Sequence, residues 1–516
     1  MLLTGCSAPT TTTDRAASSD RRDAPVPAYG APGGAEKPGG ARGKDGAAEK
    51  GGVAEKDGAR ESAQPDYLST FALDVDTASY GYARRTLGSG RLPDPATVRP
   101  EEFVNSFRQG YRRPAGKGFT VNVDGARVGD GGWSLVRVGL ATKAALTRDE
   151  RPPVALTFVV DISGSMAEPG RLDLVKKSLG ILTDELRDDD SIALVTFSGR
   201  ATTLLPMTRL RDHRGRIRDR IDSMEPTAST NVEAGVRRGY EEAVEGRVEG
   251  AGNRVVLLSD ALANTGGTTA GAILERIESA RRAYGITLFG VGVGSEYGDA
   301  LMEELTDKGD GHTTYVADEE QARKVFVDQL PAHLELTARD AKAQVAFDPK
   351  TVKQFRLIGY ENRKVADEDF RDDRVDGGEV GPGHTVTALY AVRLRPGAAG
   401  HVATATVRWL DPTTRAPHER SGTVTTGAIG VPLWGGTSER LQVTAVAAYF
   451  AETLRGGSLP GTPRLGELAT RAAALATATE DASVRKLAAA IGQAGRIRNR
   501  GTDDSGSGAE REGELD

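Results

Sequence analysis

The 516-residue chain contains a single cysteine, Cys6, so no disulfide can form within it and redox chemistry does not fix its compartment. Histidine is almost as sparse: six residues, scattered, with no spacing that would make a zinc or copper site. No run of about 18 apolar residues occurs, so nothing in the sequence reads as a membrane-spanning helix. A Gly-rich loop ending in Lys-Ser or Lys-Thr is also missing, and "GVGVGSEYG" is more simply a strand followed by a turn. Charge of one sign is lacking too. The 67 Lys and Arg are mixed with 73 Asp and Glu, which leaves no electrostatic footprint for nucleic acid. Even the most basic stretch, "RDHRGRIRDR" (211–220), interleaves aspartates and reads as a solvated helix face. Aromatics make up 5% and apolar residues 38%, values lowered by a polar N-terminal region that cannot fold as a compact unit.

What is present begins with "MLLTGCSAPT". "LTGC" has the form of a lipobox, in which the cysteine after the cut carries lipid, and Cys6 is followed by the expected polar tether. Only Met1, Leu2 and Leu3 precede the motif, short of the apolar stretch that a signal peptide needs, so the expectation is a true start further upstream. Membrane association is expected through this lipid alone. Residues 1–65 form the lipobox and a Gly/Ala/Lys/Glu-rich spacer with too little apolar surface to offset chain entropy. A second tail of the same kind is expected over 499–516.

Between these ends, about 100 to 200 residues per domain predicts two to four domains. Residues 66–115 read as an N-terminal α/β flanking segment: a strand in "STFALDV", a helix capped near Asp76 or Thr77, and a second helix start at "RPEEF". Asp74 and Asp76 read as cap and strand-end residues rather than metal ligands. From 151 to 335 strands alternate with helices. "VALTFVV", "SIALVTFS", "RVVLLSD" and "ITLFGVGVG" are continuous apolar strands. In "RLDLVKKSLGILTDELRDDD", Leu172, Val175, Leu179, Leu182 and Leu186 mark one buried helix face. "TTLLPM" is a weaker edge strand. The pattern predicts a doubly wound, mostly parallel α/β sheet with both faces covered and a ligand site at the carboxyl ends of its strands.

The segments at 116–150 and 336–432 show the period of half-buried strands, as in "TVTALYAVRLR", where Val386, Ala388, Tyr390, Val392 and Leu394 alternate with mostly polar neighbours. They predict a β-sandwich into which the α/β domain is inserted. Residues 433–498 are expected to be Ala-rich amphipathic helices.

Asp161, Ser163 and Ser165 follow the first strand of the α/β domain, Asp260 follows "RVVLLS", and Thr230 lies on a loop before a helix. Two carboxylates and three hydroxyls at converging strand ends make a hard, all-oxygen set suited to Mg²⁺, Mn²⁺ or Ca²⁺. A rival reading places a phosphoryl-accepting aspartate at the same strand tip. That chemistry, in the haloacid dehalogenase pattern, uses a second Asp two residues on as general acid, and here that position is Ser163, which protonates nothing near neutral pH.

"DISGS", Thr230 in "STNVEAG" and Asp260 in "LLSDALANTG" together resemble the metal-ion-dependent adhesion site of the von Willebrand factor type A (VWA) domain, in order and in kind of element. One departure is Ala261, where many members have Gly. The flanking stretches "STFALDVDTASYGYARRTL" and "RLIGYENR" through "GPGHTVTALY" look like those of a family of bacterial VWA lipoproteins, so the likeness spans about residues 66 to 500. The resemblance implies hydroxyl ligands from Ser163, Ser165 and Thr230, with Asp161 and Asp260 acting directly or through water. A cation so held has few anionic ligands and can accept a carboxylate from a partner. The expected protein is therefore a surface-tethered, non-enzymatic module that binds a protein ligand through an acidic anchor. The alternative is an envelope protein that uses the same site for intramolecular or self association.

Overall fold

The computed structural model describes residues 67–73, 76–129, 131–144, 150–260, 283–293, 312–316, 318–323, 336–375, 377–412 and 414–506, with residues 269, 271, 273, 302, 305, 306, 325 and 326. Cys6 and its tether, Asp74, and most of the helices expected at 270–283 and 299–307 lie outside the described residues, as does the chain after 506.

Strand β1 (Leu68–Ala72) leads to helices α1 (Ala78–Gly88) and α2 (Pro100–Asn105), the latter carrying Glu101 and Glu102 at its positive end. Next come β2 (Phe119–Arg127) and β3 (Trp133–Thr142), an antiparallel pair. The α/β segment follows, with β4 (Val154–Asp161), α3 (Leu172–Glu185), β5 (Ser191–Phe197), β6 (Ala201–Arg209), α4 (Arg214–Asp222), α5 (Val232–Glu245), β7 (Gly252–Ser259), β8 (Thr287–Val293), β9 (His312–Val316) and a short helix, Glu319–Arg323. The chain returns through β10 (Ala338–Phe347), β11 (Val352–Ile358), β12 (Gly378–Val380), β13 (Thr385–Leu394), β14 (His401–Leu410) and β15 (Pro417–Thr425). It closes with helices Glu439–Leu454, Leu465–Thr479 and Ala482–Gly506.

The inserted sheet has the order β6-β5-β4-β7-β8-β9 and is parallel except for β6, the edge strand expected at "TTLLPM". Its central strands are buried at nearly every position and mostly apolar because both faces are covered. On one face Leu156, Phe158, Val160, Val256 and Leu258 pack with Val175, Leu179 and Leu182 of α3 and Ile217 of α4. On the other, Val159, Val255 and Leu257 pack with Val232, Val236 and Tyr240 of α5. The helix face read from the sequence at Leu172–Leu186 is thus the buried one.

Before and after this insertion the chain builds two antiparallel sheets, β11-β13-β3-β2 and β1-β10-β14-β15, with β12 on β10. Their inner faces share one core that includes Phe71, Phe119, Val138, Val345, Tyr390 and Val407. The sandwich therefore recruits β1, so the segment read as a separate N-terminal unit contributes a strand to it, with Phe71 opposite Ala343. Strand β13 is not half-buried as its alternation suggests. Leu389 and Ala391, on the face away from the sandwich, are covered by helices.

Those helices are α1, α2 and the C-terminal three, which form a third core. Glu439–Leu454 is buried on nearly all sides, from Val443 through Ala451 without a break, rather than amphipathic. Its alanines let neighbours close in from every direction. The last helix continues to Gly506, beyond the expected boundary at 498.

Candidate metal centre

The five candidate residues lie on three loops at the carboxyl end of the inserted sheet, beside β4, where the chain turns first to β5 and later to β7. Asp161 closes β4 and Asp260 directly follows β7, its parallel neighbour; both are fully buried. Backbone bonds fix the loops around them. Ile162 N donates to Phe197 O (2.9 Å), Thr227 N to Ile162 O (2.6 Å) and Asn231 N to Ser198 O (2.7 Å). Thr230, buried, is thereby held between the first loop and the end of β5. Its neighbours pin the helix that follows. Ser229 adopts the left-handed backbone (φ 71°), and Asn231 caps α5 by accepting from Ala234 N at 3.0 Å. Two glycines bring α5 close to the sheet. A Cβ on Gly239 would sit 2.3 Å from Val159 Cγ2, and one on Gly235 2.6 Å from the Phe197 ring.

Within the first loop, Asp161 Oδ1 accepts from Ser163 N (2.8 Å), its Oδ2 accepts from the Ser259 hydroxyl (2.5 Å), and the hydroxyl oxygens of Ser163 and Ser165 are 3.1 Å apart. Burial pushes the Asp161 carboxyl up to about 6; the bonds from Ser259 and Ser163 oppose that rise, and the Asp260 charge adds to it. Asp260 Oδ2 accepts from Arg171 Nη1 at 2.7 Å. Its Oδ1 is buried with no hydrogen-bond partner among the described residues.

Two residues that the motif reading did not assign therefore shape the site, Ser259 and Arg171. Arg171 did leave a signal. It begins "RLDLVKK" at the positive end of a helix, where a cation is disfavoured without an anion beside it. Asp76, by contrast, is no cap. The N-cap of α1 is Thr77, without a side-chain capping bond, and Asp76 instead accepts from Thr313 N (2.9 Å) and faces Arg363 (3.4 Å), tying the N-terminal segment to β9.

The donor set fits a hard divalent cation. A buried, unanswered carboxylate oxygen on Asp260 and a raised pKa on Asp161 are both relieved by a positive charge placed between the loops. Among the described residues no group of three or more His, Cys, Asp or Glu is placed to hold a metal ion, so a cation here would lean on hydroxyl oxygens. In that case Asp161, Ser163, Ser165, Thr230 and Asp260 would hold it, and it would supply an electrophilic centre for an anionic ligand.

Residues 155–328 match the von Willebrand factor type A domain. Residues 332–491 match the family described as "Uncharacterized protein YfbK, C-terminal", and 53–129 one described as "von Willebrand factor". Over 416 residues the chain is 33% identical to "Uncharacterized protein YfbK" of Escherichia coli (strain K12), a span of 75% of this chain and 71% of that protein. The chain belongs to the YfbK family of VWA proteins. Its VWA domain is a protein-interaction module, of the α/β class expected. Outside the YfbK family it is 28% identical over 182 residues to human inter-alpha-trypsin inhibitor heavy chain H3, 33% of this chain and 20% of that one. Among solved structures, "von Willebrand factor type A from Catenulispora acidiphila" aligns over 72% of this chain and 89% of its own, at 14% identity and a TM-score of 0.43.

Proposed function

We propose that this protein is a non-enzymatic, divalent-cation-dependent binding module held outside the cytoplasm by a lipid on Cys6, and that its cation accepts a Glu or Asp carboxylate from a protein partner. The observation that carries the reading is the buried Asp260 Oδ1, unpartnered among the described residues, together with Asp161 and the paired Ser163 and Ser165 hydroxyls. An oxygen left unanswered in a protein interior costs about 1–3 kcal/mol, and a cation would recover that cost. Mg²⁺, Mn²⁺ and Ca²⁺ all suit the oxygen set. Among the described residues no helix is long and apolar enough to cross a membrane.

Isothermal titration of Mg²⁺ should give heat with the wild-type chain and none with Asp161→Ala; absence of wild-type heat, or equal heat in both, sinks the metal claim. Crosslinking should capture a partner that chelator releases. Metabolic lipid labelling that survives Cys6→Ser would refute the anchor. A second reading, that the module organises its own flanking segments, is favoured by the Asp76 tie to β9 and by Arg85 stacked 4.9 Å over the Tyr315 ring. In that case chelator would change the protein's own unfolding and release no partner.

A further inference from the structure

Arg171 is 3% exposed and joins two of the three site loops. Its Nη1 donates to Asp260 Oδ2 (2.7 Å) and to the Ser165 carbonyl oxygen (2.9 Å), and its Nη2 lies 2.7 Å from Glu168 Oε2. As the N-cap residue of α3 it makes no side-chain capping bond, and the helix dipole opposes a cation there. Asp260, with the Ser165 carbonyl and Glu168, supplies the negative charge that holds the guanidinium there. The same contact leaves Asp260 Oδ1 free of partners among the described residues, so the carboxylate is half answered and held in a fixed orientation.

We infer that Arg171 is a built-in countercharge of the metal centre. It keeps the Asp260 carboxylate in place before a cation arrives and lowers the site's affinity for that cation. This rests on the metal-binding reading above. The electrostatics are direct. Asp161 and Asp260 are both fully buried, at the ends of neighbouring parallel strands. With Arg171 the buried groups carry one net negative charge instead of two, so the empty site stays assembled. A divalent cation must then enter against the guanidinium, and once bound it is less completely neutralised. Some affinity for the bare ion is exchanged for a stronger pull on a carboxylate from outside. Arg171 is a positioning and tuning residue in this scheme, not a ligand.

The test titrates Mn²⁺ into the full-length wild type, Arg171→Gln and Arg171→Lys, then acetate into each loaded protein, and records thermal unfolding with chelator and with Mn²⁺. Arg171→Gln should bind Mn²⁺ at least about tenfold tighter, bind acetate more weakly, melt lower in chelator and recover with Mn²⁺. Arg171→Lys, which keeps the charge, should stay within about threefold of wild type for Mn²⁺. Equal or weaker Mn²⁺ binding by Arg171→Gln, unchanged acetate binding, or a tenfold gain in Arg171→Lys overturns the inference. If Arg171→Gln is unfolded in chelator, folding on addition of Mn²⁺ supports the role and failure to fold overturns it. Wild-type protein that binds no Mn²⁺ defeats the metal centre itself, whereas wild-type and Arg171→Gln binding equally defeats only the role of Arg171.

Discussion

The two ends of the inserted sheet each carry a buried Asp–Arg pair, and they are built differently. At the amino end, Asp190 Oδ1 accepts from Arg151 Nη1 and Val154 N (both 2.9 Å), while Oδ2 accepts from Arg151 Nη2 (2.6 Å) and Arg187 N (2.7 Å). At the carboxyl end, Asp260 is equally buried, yet only Oδ2 meets its arginine and Oδ1 is unanswered among the described residues. The same residue types thus serve two purposes. A bidentate pair with both oxygens satisfied joins the starts of β4 and β5 and has nothing left to offer a ligand. A monodentate pair beside a second carboxylate with a raised pKa holds free binding capacity that fold stability alone does not call for.

The contrast can be broken experimentally. The largest effect should come from Asp190→Ala, which strands the Arg151 charge in the interior. Urea unfolding should show a loss of about 3–5 kcal/mol, the same with chelator or Mg²⁺. Next is the pH response of Asp161. Its carboxyl rises from 3.8 to about 6 on folding, so the neutral acid is the form the fold favours. Its stabilising contribution is full below the unfolded value and is lost as pH rises through about 6, at most roughly 3 kcal/mol. In chelator, Asp161→Asn should match wild type near pH 4 and exceed it at pH 7; equal stability at both would show that the burial cost is absent.

Third, Mg²⁺ at a hundredfold over its dissociation constant should stabilise wild type by about 2.7 kcal/mol. Asp190→Ala should keep that increment and Asp161→Asn should lose it, as read by thermal unfolding. Smallest is Gly239→Ala. The added Cβ meets Val159 and should cost about 1–2 kcal/mol of stability in urea while leaving a measurable Mg²⁺ response, because it shifts the helix that follows the Thr230 loop without removing a ligand.

Much of this was legible because periodicity reports burial. Leu172, Val175, Leu179, Leu182 and Leu186 were placed on one helix face by spacing alone, and all five are buried. Continuous apolar strands signalled a sheet covered on both sides. The same reasoning misread β13, whose alternating pattern concealed Leu389 and Ala391 packed beneath helices from both ends of the chain. Periodicity says which side of an element is apolar, but not how many neighbours will cover it. Of the two cap positions the sequence offers, Asp76 and Thr77, Thr77 is the N-cap, and the partners of Asp76, Thr313 and Arg363, are more than two hundred residues away.

By itself the sequence determined the α/β class, the insertion between strand-rich segments and the oxygen-rich character of the loops after β4 and β7, since each depends on residue type and local spacing. Only the tertiary structure decided that β1 completes the sandwich, that Arg171 reaches across to Asp260, and that one oxygen of Asp260 is left unanswered among the described residues. Those outcomes depend on which distant groups meet once water is excluded. A hydrogen bond or an orphaned lone pair in a protein interior is a property of the assembled loops and of no single stretch of chain.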